Sequence, residues 1–107
     1  MGPYEQFRLE CDEEVGVQGA DPRFSATTRD WFDQSMNLKY SYHFEWMGRP
    51  IIQFPQDIVA MQEIIFRVKP DLVIEAGIAH GGSLILYSSL LELNTMLGGP
   101  SDAAVVG

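Results

Sequence analysis

Apolar and polar positions alternate in distinct rhythms along the 107-residue chain. The clearest rhythm is helical. Ile58, Met61, Ile65 and Val68 recur at intervals of three, four and three, with Ile64 beside them, which places one apolar face on a helix. Pro55 suits the first position of that helix, and Asp57 lies in its first turn, where the helix dipole favours a carboxylate. Lys69-Pro70 ends it, because the residue before a proline resists the helical region. Leu72-Val73-Ile74 follows as a continuous apolar run inside residues 71–76, the pattern of a parallel strand buried on both faces. Gly77 breaks the run. Gly81-Gly82-Ser83 then opens a leucine-rich helix to about Leu97, carrying Leu84, Leu86, Leu90, Leu91 and Leu93, and Gly98-Gly99-Pro100 ends it. Ala103-Ala104-Val105-Val106 reads as the start of a second strand.

The first part of the chain is less regular. Residues 25–37 predict a helix capped by Thr27 or Thr28, with Asp30 in its first turn and Trp31, Phe32, Ser35 and Met36 on one side. Residues 38–50 are rich in aromatic side chains and end at Gly48 and Pro50, which fits a short strand or an irregular docking segment. Residues 1–24 have little core-forming pattern and read as a loose acidic arm. The expected organisation is therefore an acidic flexible arm (1–24), a helical cap region (25–70) and the first βαβ part of a nucleotide-binding domain (71–107). The fold class is α/β: an incomplete Rossmann-like, doubly wound parallel sheet with N-terminal helices.

Composition narrows the function. Hydrophobic residues make up 46% and charged residues 21%, ordinary values for a folded domain. Fifteen acids against seven bases give a net charge of −8. Eight of those acids and three of the bases fall within residues 1–35. So acidic a chain is a poor ligand for nucleic acid or anionic membranes, which require Lys and Arg against phosphate. No apolar run approaches the ~20 residues of a membrane span. The start of the chain is neither basic nor apolar, and position 6 is Gln6, so neither a secretory leader nor myristoylation is expected. The single cysteine, Cys11, has no partner for an internal disulfide and no basic neighbour to activate it, which fits a cytoplasmic location.

The candidate chemistry lies between the strand and the leucine-rich helix. There Glu75-Ala76-Gly77-Ile78-Ala79-His80-Gly81-Gly82-Ser83 brings backbone N–H groups and a helix N-terminus to the carboxyl end of the sheet, the position at which doubly wound folds bind nucleotides. Glycines there let a ligand approach the backbone; a plain strand-to-helix turn would show glycines too. A dinucleotide fingerprint needs a middle glycine where this chain has Ala79, and a P-loop needs a lysine where it has Ser83. The turn of S-adenosylmethionine (SAM) methyltransferases, E-x-G-x-x-x-G, is matched by Glu75, Gly77 and Gly81. That cofactor has no phosphate and needs no lysine, and a carboxylate can take part in holding its ammonium end.

The residues 42–92 resemble the cephalosporin hydroxylase-like family, which includes rhamnosyl O-methyltransferases. The resemblance rests on three segments: residues 44–53, Pro55-Gln56-Asp57 with Gln62-Glu63, and residues 69–83, the last being long and specific. Ala76 stands where the family commonly has threonine. The resemblance implies a class I methyltransferase fold, SAM as cofactor and a small-molecule hydroxyl acceptor such as a sugar. It also implies that Glu75, Gly77, Ile78, His80, Gly81, Gly82 and Ser83 line the cofactor, and that any Mg2+ is held by carboxylates further along the family's chain than this sequence reaches. On this reading the chain is the N-terminal portion of a longer enzyme and is inactive alone as a methyltransferase. No catalytic base can be named.

Two rival readings stand beside it: a non-catalytic protein that docks on a partner or a second copy of itself, and an NAD-linked oxidoreductase, which Ala79 disfavours. His80 could touch the cofactor, act as a base or bond the turn backbone. His43, Glu45 and His80 imitate an iron-binding facial triad, but on a chain without the strands of a jelly roll. Trp31, Phe44 and Trp46 are expected in the core; Tyr40 and Tyr42 are compatible with core or acceptor site.

Overall fold

The computed structural model describes residues 1–107, in two units, Met1–Leu38 and Lys39–Gly107. The first is a pair of helices, α1 (Pro3–Ala20) and α2 (Pro22–Asn37), packed on each other. Where a loose arm was expected over residues 1–24, Pro3–Ala20 and the chain from Pro22 on are helical, and the first unit ends at Leu38. The reason is local. Pro3 and Pro22 each occupy a first helical position. The Gly2 N–H donates to Glu5 Oε2 at 3.1 Å, and the Asp21 carboxylate accepts from the N–H groups of Arg23 (2.9 Å) and Phe24 (3.1 Å). Asp21, not Thr27 or Thr28, caps α2. An apolar stripe is not needed to start a helix, and α1 buries no residue at all. On α2, Trp31 is 41% exposed, against the expectation that it is core; Ser35 is the buried residue of that helix.

The second unit begins with a 3-10 turn, Tyr40–Tyr42, and an antiparallel hairpin of β1 (Phe44–Trp46) and β2 (Arg49–Ile51), in which Trp46 faces Arg49 across a two-residue loop. Met47 (φ 48°) and Gly48 (φ 82°) form that loop with positive φ at both positions, the requirement of a type I′ turn. The aromatic segment is therefore a hairpin. Helix α3 (Pro55–Val68) and its Asp57 fall where the periodicity puts them, and Lys69 closes it in the left-handed conformation. Strand β3 (Leu72–Ile74), helix α4 (Gly82–Met96) and strand β4 (Ala104–Val106) follow, and the two strands pair in parallel with Val73 opposite Val105.

Helix α4 organises this unit. Leu86, Tyr87, Leu90 and Leu91 on it form the core with Ile51 of β2 and Ile65 of α3, and Phe44, Trp46, Val73 and Val105 pack around them. Two long-range hydrogen bonds lock the arrangement: Trp46 Nε1 donates to Ser89 Oγ (3.2 Å), and Asn94 Nδ2 donates to the Ile65 carbonyl (2.9 Å). Phe44 and Trp46 are core-packed as expected. Strand β3 is not buried on both faces: Leu72 is 52% and Ile74 76% exposed, while Val73 points to the core. α4 covers one face of a two-stranded sheet, and the side chains of a strand alternate between faces.

Candidate functional site

The turn from β3 into α4 starts with a ladder bond, the Glu75 N–H to the Val106 carbonyl (2.9 Å), which fixes Glu75 at the carboxyl end of the sheet. The backbone then reverses through three left-handed residues, Gly77 (φ 77°), Ala79 (φ 46°) and Gly81 (φ 82°). The Gly81 N–H closes this reversal on the Ile78 carbonyl at 2.7 Å. Residues 76–80 are exposed, and no heavy atom lies within 4 Å of where a Gly77 Cβ would sit, so the turn is open to a ligand. Gly81 caps α4 without a side chain, which leaves the first N–H groups of the helix uncapped.

Glu75 and Ser83 meet across the turn. Ser83 Oγ donates a hydrogen bond to Glu75 Oε1. The other oxygen, Oε2, is buried and has no hydrogen-bond partner. A buried acceptor without a donor costs about 1–3 kcal/mol, so a donor arriving there is favoured. Tyr87, one turn along α4, lies near the same carboxylate. Burial, and secondarily the negative charge of Glu75, push its hydroxyl above the usual tyrosine range. A groove of about 430 Å³ runs past Glu75, Ala76 and Tyr87, walled by Met61, Ile65 and Val73.

The expected site residues take different positions. Glu75 and Ser83 are joined; Gly77 and Gly81 are the open, left-handed glycines. Ile78 contributes its carbonyl to the turn and is 39% exposed. Gly82 is buried on the other side: a Cβ there would lie 2.3 Å from the Pro50 carbonyl oxygen, so the hairpin requires this glycine. His80 is exposed and offers its carbonyl, not its ring, to the contact the turn makes: Arg49 Nη1 donates to it at 3.5 Å. Arg49 was not foreseen. It lies 31 residues before His80, and only the docking of the hairpin on α4 brings it to the turn. Tyr40 stands edge-on to Phe44 at 5.2 Å, and Tyr42 is 55% exposed. No three His, Cys, Asp or Glu side chains gather as a metal-ligand cluster.

Comparison with protein families matches residues 38–107 to the model described as Rhamnosyl O-methyltransferase/CmcI. The chain belongs to that family. The match extends the resemblance seen over residues 42–92 to the whole second unit. No curated protein and no solved structure matches the chain. The family is one of O-methyltransferases, and the chain's mixed α/β architecture is compatible with a methyltransferase-like fold. No helix is long and apolar enough to cross a membrane.

Proposed function

We propose that this chain contributes the cofactor-binding turn of a SAM-dependent O-methyltransferase. The observation that carries the reading is the carboxylate of Glu75, with one oxygen fixed by Ser83 and the other buried and unpartnered, beside a turn opened by Gly77 and Gly81. The cofactor's ammonium is a donor of the kind Glu75 Oε2 lacks. The uncapped N–H groups at the start of α4 supply further donors. When bound, SAM supplies an electrophilic methyl group on its sulfonium. The chain's own contribution is positioning: Ser83 orients Glu75, Gly77 and Gly81 permit close backbone approach, and Ile78 offers an apolar surface beside the turn. Holding two reactants in line supplies a large part of the rate in such a transfer.

The finer reading is a doubly wound Rossmann-like sheet of which β3 and β4 are the first two strands, working in the cytoplasm on a hydroxyl of a small molecule such as a sugar. Calorimetric titration with SAM, S-adenosylhomocysteine and NAD tests the reading. Binding of the two adenosyl ligands and not NAD is expected; binding of NAD alone would move the chain to the oxidoreductase reading.

A second reading is favoured by one observation: Leu72, Ile74 and Val106 leave an apolar strip of the β3–β4 sheet exposed. It makes the chain a non-catalytic protein that depends on a partner or a second copy. A concentration-dependent mass in solution, together with no SAM binding, would favour it.

A further inference from the structure

The stretch from Pro70 to Gly107, which holds the whole β3–α4–β4 unit and its turn, contains four acids and no Lys or Arg. Within this stretch an anionic group of a ligand meets backbone N–H groups but no Lys or Arg; such a side chain has to come from elsewhere in the chain. The fold brings one. Arg49 starts β2, and β2 is held firmly against the beginning of α4: Ile51 is 2% exposed, and Gly82 approaches the Pro50 carbonyl so closely that no side chain fits between them. From that anchored strand the guanidinium reaches over the turn. Nη1 lies 3.5 Å from the His80 carbonyl oxygen and 3.7 Å from the position of a Gly81 Cβ. The contact to His80 is long for a hydrogen bond and leaves the other donors of the fork uncommitted.

We infer that Arg49 is a binding residue for the carboxylate at the amino-acid end of the cofactor. The inference rests on the SAM reading above and goes beyond it by assigning the two charges of that zwitterion to two side chains. Glu75 follows β3 and is bonded to Ser83 in the first turn of α4, while Arg49 reaches His80 and Gly81 just before that helix. A carboxylate takes a guanidinium fork in two parallel hydrogen bonds, which fixes orientation as well as affinity. Arg49 is exposed in the free protein, so engaging a ligand carboxylate breaks no ion pair and costs one weak contact.

The test crosses two ligands with two proteins. Wild type and Arg49→Gln are titrated by calorimetry with SAM and with decarboxylated SAM, which keeps the ammonium and sulfonium but lacks the carboxylate. Wild type is expected to prefer SAM. Arg49→Gln is expected to lose about ten- to a hundredfold in SAM affinity, the range for a hydrogen bond to a charged group, while its affinity for decarboxylated SAM stays unchanged. Equal loss for both ligands would make Arg49 a structural residue, and no loss would make it a solvated one; either overturns the inference. Equal affinity of wild type for the two ligands overturns it without any variant, which covers the case that Arg49→Gln misfolds. If wild type binds neither ligand, the SAM reading itself fails, and that failure is visible before the variant is made.

Discussion

Ser83, at the start of α4, donates a hydrogen bond to Glu75, at the end of β3, and so ties together the two elements that flank the glycine turn. The bond leaves one carboxylate oxygen of Glu75 buried without a partner. Ser83→Ala removes the donor and leaves a partly buried carboxylate with none. Loss of about 1.5–3 kcal/mol of unfolding free energy is expected, read from urea denaturation. A loss below about 0.5 kcal/mol would mean that water replaces the serine freely.

The same carboxylate acts on Tyr87. Its raised hydroxyl pKa has burial as first cause and the charge of Glu75 as second. Glu75→Gln is therefore expected to bring the Tyr87 titration partway down, with the burial part retained, as followed by phenolate absorbance. Because the folded-state pKa lies above the ordinary 10.0, the unfolded chain releases this proton first. Stability from the neutral Tyr87 is complete below that ordinary value and is lost as pH rises through the raised one. Glu75→Gln should narrow that alkaline window.

Substitution of two glycines of the turn is expected to destabilise for different reasons. At Gly82 an added Cβ would meet the Pro50 backbone at 2.3 Å, so Gly82→Ala must push the hairpin off α4. A cost of about 1–3 kcal/mol is expected, with a clear drop in melting temperature. At Gly77 the space is open and only the left-handed backbone (φ 77°) opposes a side chain. Gly77→Ala should cost about 1–2 kcal/mol while weakening SAM binding, because the methyl group stands where the ligand approaches. Similar binding by both variants and wild type would remove the turn from the site.

The hairpin loop places Met47, 80% exposed, at φ 48°, a conformation that asparagine adopts more readily. Met47→Asn converts the loop to Asn-Gly and should stabilise the second unit by up to about 1 kcal/mol, measured as a rise in the urea midpoint. A fall would mean that the methionine side chain packs in solution.

The helical start of the chain is tested at its cap. Asp21→Ala removes the acceptor for two N–H groups of α2 and should cost about 0.5–2 kcal/mol. The readout is loss of helical ellipticity at a lower temperature. An unchanged melt would return residues 1–24 to the loose arm their pattern first implies.

Some elements were legible because their signals are local. The three-four-three spacing of Ile58, Met61, Ile65 and Val68 fixed α3, Pro70 fixed its end, and the glycines at 77 and 81–82 marked the turn. Those signals depend on backbone sterics and on one helix face, which a short stretch of residues carries within itself. The helices before residue 24 were legible too, in Gly2-Pro3 with Glu5 and in Asp21-Pro22, but those are capping signals, and reading only for apolar stripes passes over them.

The sequence by itself determined the order of helix, strand, glycine turn, helix and strand in the second half of the chain, and the residues 69–83 that tie it to its family. Tertiary structure alone decided which side chains meet. Nothing in the spacing of Arg49 and His80 marks them as neighbours; they meet because Gly82 lets β2 dock against α4. Nor does the apolar run Leu72-Val73-Ile74 disclose that only its middle residue faces the core, since that depends on how many layers cover the sheet. Local sterics are written residue by residue, whereas contact between distant residues depends on how whole elements pack.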